Sequence, residues 1–173
     1  MKATLFSAPC VLLLAVTTAY SQNDLTELDR RNGFKDIKMT YPIDSVRGAK
    51  FKKDITEKGN HPAKLYEVTD PSYLTIGEVK VNRLEVKTYK NHIYEILVIT
   101  EKDTRLMKGM ETALGKPVYD VRNDTYKWTG KNLSLTFRPA SKTELELLYT
   151  SYVVHKMMKD DKKKKIDDIA DDF

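Results

Sequence analysis

A chain of 173 residues with 40% hydrophobic side chains, ten tyrosines and only seven glycines and six prolines can bury a core unaided, which excludes a disordered, collagenous or low-complexity protein. Its formal net charge of +5 comes from interspersed acids and bases, a balance too modest to point to nucleic acid. Cys10 is the only cysteine, so a disulfide scaffold is excluded as well.

Residues 1–21 read as a signal peptide. Lys2 gives a positive start, an apolar run follows from Val11 to Val16, and Ala19-Tyr20-Ser21 offers small residues at alternate positions for cleavage before Gln22. The run is too short to span a bilayer, and no later segment approaches the roughly 20 apolar residues of a membrane helix. Cys10 precedes the apolar run, where a lipoprotein cysteine would follow it. The mature chain is therefore expected to be secreted or periplasmic, without an integral membrane segment. Residues 22–32 are polar, with Leu25 and Leu28 too sparse to hold a helix down, and read as a flexible leader.

The fold is expected from Gly33. A short strand at 34–39 leads to Pro42, which opens a short helix carrying Ile43 and Val46 and stopped by Gly48. Strands follow at 49–55, 65–68, 78–89 and 93–100, with Gly59-Asn60 and Asp70-Pro71 as turn signals. In the third of these the apolar parity changes between Val81 and Leu84, which predicts a bulge near Asn82-Arg83. Ile93, Tyr94, Ile96, Leu97, Val98 and Ile99 leave almost no polar face, so 93–100 belongs in the middle of a sheet covered on both sides.

Asp103 or Thr104 then caps a helix whose Leu106, Met107, Met110, Ala113 and Leu114 share one stripe, ended by Gly115 and Pro117. Strands are expected through 119–128, at 132–137 and at 144–150. Both stretches run short helix, glycine, strands, and Leu84-Glu85-Val86 with Tyr94-Glu95-Ile96 echo Leu133-Ser134-Leu135 with Leu145-Glu146-Leu147. The expected class is therefore α+β: two tandem helix-plus-antiparallel-sheet repeats, 33–102 and 103–152, followed by a C-terminal helical tail, 153–173.

The order of helix, Leu114-Gly115-Lys116-Pro117 and hairpin, together with Ile37-Lys38-Met39-Thr40-Tyr41-Pro42-Ile43-Asp44-Ser45-Val46 as a strand-to-helix junction, resembles the small exported bacterial proteins grouped with outer-membrane lipoprotein A (small protein A) and β-lactamase inhibitory protein. The resemblance implies tandem helix-plus-sheet repeats. Two departures stand out: Thr40 lies near the place of the usual glycine, and the lipid-attachment cysteine is missing. What is carried over concerns fold rather than activity.

A search for chemistry finds no nucleophile elbow, zinc-protease helix or phosphate loop. His61, His92 and His155 are isolated, where a metal site needs clustered ligands. Asp120, Asn123 and Asp124 lack the spacing of a calcium loop and read as turn formers. No catalytic, metal or cofactor site is assigned, and the expected function is non-enzymatic: a protein-binding or envelope structural module. Two alternatives remain, a periplasmic carrier of a small apolar ligand, which needs a cavity between sheet and helices, and a hydrolase built from scattered carboxylates.

Tyr126 and Trp128 share one face of a strand. Because Leu133, Leu135 and Phe137 suffice to face the helix, these two aromatics are read as turned away from it, with Thr136 and Glu146 as polar rim. Such a patch would bind another exported or envelope protein through Trp128, supported by Tyr126. The competing outcome puts Trp128 under the helix as core. In the tail, Val154, Met157 and Met158 are expected to pack, whereas Ile166, Ile169 and Phe173 leave their destination open.

Overall fold

The computed structural model describes residues 26–173. The signal-peptide reading of 1–21 and the first residues of the leader lie outside the described residues. Among those described, no helix is long and apolar enough to cross a membrane.

The first element corrects the reading of 22–32 as a flexible leader. Glu27–Arg31 is a short helix, α1, capped by the Thr26 hydroxyl, which accepts from the Asp29 N–H at 3.2 Å. Leu28 is buried, and the Asp29 carboxylate accepts the backbone N–H groups of Lys131 at 2.7 Å and Asn132 at 2.8 Å. Burial pushes that carboxyl up, but these bonds and Thr26 outweigh it and hold the group below the usual carboxylate range. Gly130 permits the approach, since a Cβ there would stand 2.6 Å from an Asp29 oxygen. One buried leucine and a hydrogen-bonded buried carboxylate together hold the described part of the segment.

A small hairpin follows, β1 (Gly33–Phe34) with β2 (Ile37–Lys38), then a single 3-10 turn at Ile43–Ser45 where Pro42 predicted a helix. The remaining strands form one nine-stranded antiparallel sheet. They are β3 (Ala49–Glu57), β4 (His61–Val68), β5 (Thr75–Ile76), β6 (Val79–Tyr89), β7 (His92–Glu101), β8 (Val118–Asp120), β9 (Thr125–Thr129), β10 (Leu133–Pro139) and β11 (Glu144–Ser151). The order is β3-β4-β6-β7-β11-β10-β9-β8, with β5 on β6. The register of β6 on β7 shifts between Val81 and Arg83, where the change of parity placed a bulge.

This topology overturns the expected class of two tandem helix-plus-sheet repeats. The strands from β3 to β11 build one continuous sheet, because β11 pairs with β7 from Glu144↔Glu101 to Thr150↔Glu95. The physical reason lies in β7 itself. A strand apolar on both faces needs a neighbour on each edge, and the first stretch supplies only β6. The last strand of the chain fills the other edge, so the boundary at 102/103 divides no sheet.

One face of the sheet carries the main core, including Val86, Ile96, Val98, Leu133, Leu135 and Leu147. It is covered by α1, the β1–β2 hairpin, the 3-10 turn and a second helix, α2 (Thr104–Leu114). The third helix, α3 (Tyr152–Ala170), covers part of the opposite face, where Val154 and Met158 pack with Ala63, Tyr89 and Tyr94. Each such buried apolar side chain contributes about 1.5–3 kcal/mol.

Candidate functional site

The helix α2 is fixed at its two ends. At the start, the Asp103 carboxylate accepts the Arg105 N–H at 2.8 Å, and the Arg105 guanidinium reaches Asp103 at 2.8 Å and Glu78, just before β6, at 2.9 Å. At the far end, the Trp128 indole Nε1 donates to the Gly115 carbonyl at 2.7 Å. Between these points only Leu106 is buried, while Met110, Ala113 and Leu114 are half-buried. The stripe that periodicity assigned to the core packs against it through Leu106, Met107, Met110 and Leu114, and the same face also roofs a groove.

The groove has a volume of about 590 Å³. That lies within the range of about 300–1,000 Å³ typical of small-molecule sites. Its roof is Leu106, Gly109, Met110, Ala113 and Leu114; its walls are Leu28 and Arg31 of α1, Phe34 of β1 and the Ile76–Val79 turn; its floor is Leu147 and Tyr149 of β11. Gly109 adds to the space, because a Cβ there would meet nothing within 4 Å.

Tyr149 is the polar group on that floor. It is 8% exposed, its ring lies 6.4 Å from that of Phe34, and its hydroxyl has no hydrogen-bond partner among the described residues. Burial pushes the phenol up to about 12, against the opposing charge of Arg31, so it is a neutral O–H donor at any physiological pH. Arg31 lines the same groove and is engaged through Nε by Glu27 at 3.0 Å. The other arginine on the rim, Arg105, is already shared between Asp103 and Glu78.

The four residues expected to form a partner patch do not share a face. Trp128 is 4% exposed and lies beneath α2, opposite Leu135, while Tyr126 stands opposite Phe137 and stacks on Tyr119 with centroids 4.5 Å apart. Thr136 pairs with Lys127, on the other side of the sheet, and Glu146 also points there, bound by Arg138 at 2.7 Å. Strand parity put Tyr126 and Trp128 together correctly but turned them the wrong way. An indole N–H seated on a helix-terminal carbonyl needs no outside partner.

The isolated histidines each meet local neighbours. His61 packs edge-on to Tyr89, the His92 Nδ1 bonds the Thr40 carbonyl at 2.8 Å, and His155 packs edge-on to Tyr94. Asp120 accepts the Arg122 N–H at 3.0 Å and the Asn123 amide at 2.7 Å, and Asp124 accepts from Tyr119 at 2.8 Å, all turn-stabilising bonds.

Sequence reasoning passed over Tyr149, Arg31 and Gly109. The signals were present: Tyr149 is the member of the Leu145–Leu147–Tyr149 stripe with a polar end, and Gly109 interrupts a helix, where it costs about 0.8–1.0 kcal/mol relative to alanine. Models of known protein families, curated proteins and solved structures were all compared with this chain, and none matches it.

Proposed function

We propose that this protein is an exported, non-enzymatic carrier that binds a small, largely apolar molecule in the groove between α2 and the sheet. The observation that carries the reading is the groove itself: about 590 Å³, walled by aliphatic and aromatic side chains, beneath a helix held at its ends. Such a site buries most of a small guest and orients it through one or two polar groups. Titration with a neutral naphthylamine fluorophore tests it. Saturable enhancement is expected, and Gly109→Trp, which puts an indole into the open space, should abolish it while leaving the melting temperature in place. Enhancement that does not saturate, or that survives Gly109→Trp unchanged, would overturn the reading.

One observation favours a second reading, a protein-binding module. On α3, Ile166 and Ile169 are 56% and 61% exposed, and Phe173 beyond its end is fully exposed. Side chains spaced in this way on a free helix suit the apolar groove of a partner.

A further inference from the structure

We propose that the guest is an amphipathic monocarboxylate, its apolar tail along α2 and its carboxylate held by the Tyr149 hydroxyl and the Arg31 guanidinium. The proposal rests on the groove reading and adds the chemistry of the head group.

The argument starts from Tyr149. A phenylalanine would pack the same ring against Phe34; the tyrosine adds an O–H, on a side chain that lines the groove, with no partner among the described residues and not sealed from solvent. A neutral phenol donates one hydrogen bond and can accept another, but beside Arg31, which only donates, the group that serves both is an acceptor. Carbonyl, ether and carboxylate oxygens all qualify on that ground alone. Arg31 discriminates among them. It lines the same groove, its charge reaches the Tyr149 phenol, and a guanidinium favours a carboxylate, which it can grip by two parallel bonds.

The remaining charges leave that role to Arg31. Arg105 is held by Asp103 and Glu78, and Glu78, the acid that lines the groove, is itself held by Arg105. Arg31 meets a single acid, Glu27, through Nε, where Arg105 is shared between two; both arginines are exposed, so the count of acid partners, not screening, leaves Arg31 the less neutralised cation. Everything farther along the roof, from Leu106 to Leu114, is hydrocarbon, thioether or bare backbone. One O–H and one cation that meets a single acid, on a lining whose other two charges, Arg105 and Glu78, pair with each other, fit one acid group on an apolar tail.

The test displaces the neutral fluorophore with dodecanoate, methyl dodecanoate and dodecanol, using wild type, Tyr149→Phe and Arg31→Met. In wild type, dodecanoate should displace at a concentration about tenfold below that of the ester, the expected worth of a charge-assisted bond. Arg31→Met should remove that preference by weakening dodecanoate far more than the ester, and Tyr149→Phe should weaken dodecanoate several-fold with no fall in melting temperature. Equal binding of acid and ester to wild type, or unchanged dodecanoate binding in Tyr149→Phe, would overturn the carboxylate proposal and leave the groove standing. Failure of the neutral fluorophore to bind at all would instead remove the groove reading and this proposal with it.

Discussion

The helices α2 and α3 lie on opposite faces of one sheet and seat themselves in opposite ways. α2 makes polar contacts at its ends, the solvent-exposed Arg105 with Glu78 and Trp128 with the Gly115 carbonyl; along its length only Leu106 is buried, and Met107, Met110 and Leu114 pack half-buried against the core beside a groove. α3 is held by packing along its first turns, where Val154 is 0% and Met158 3% exposed, reinforced by the Tyr89 hydroxyl on Asp161 at 2.8 Å; beyond Asp161 every residue is exposed. An apolar stripe tells which side of a helix turns to the protein. It does not tell how closely that side is seated, which depends on anchors contributed from distant parts of the chain.

The strongest way to break the comparison is Trp128→Ala. It empties a large core site and removes the bond that holds the end of α2, so unfolding in urea should show a loss of about 3–5 kcal/mol. A loss below about 1 kcal/mol would mean that α2 is seated by its own stripe, as α3 is, and the contrast would fall. Within α3 the contrast is sharpened by two truncations. Met158→Ala should cost about 2–5 kcal/mol and Ile169→Ala no more than about 0.5, because only the first leaves a cavity. Comparable losses from both would place the far end of the helix against protein.

These differences also mark what can be read from residues alone. Strand β7 was legible as a central strand because both its faces are apolar, and the bulge after Val81 because the parity of its apolar residues changes there. The partner on its second edge was not legible: β11 lies more than 40 residues away, and nothing local distinguishes its pairing with β7 from a separate second sheet. Tyr126 and Trp128 show a related gap. Parity puts them on one face, but the opposition of Trp128 to Leu135, hence the side they take, is a matter of register. Tyr149 keeps the parity of Leu145 and Leu147 and so falls on their face, while its unpartnered hydroxyl is a property of the space around it.

The smallest effect probes the hollow directly. A glycine in mid-helix costs about 0.8–1.0 kcal/mol relative to alanine, through backbone entropy that the folded helix must give up. A methyl at Gly109 would meet no atom within 4 Å, so Gly109→Ala has no steric penalty to set against that gain. The variant should be more stable by about 0.5–1 kcal/mol, read as a rise in denaturation midpoint with an unchanged slope. Because Gly109 also roofs the groove, the same methyl narrows it, and bulky apolar probes should bind less well to this more stable protein. Gain of stability with loss of affinity is the signature of a space kept open at some cost to the helix. A loss of stability in Gly109→Ala would mean that α2 already rests on the sheet at mid-length, with no room beneath it for a guest.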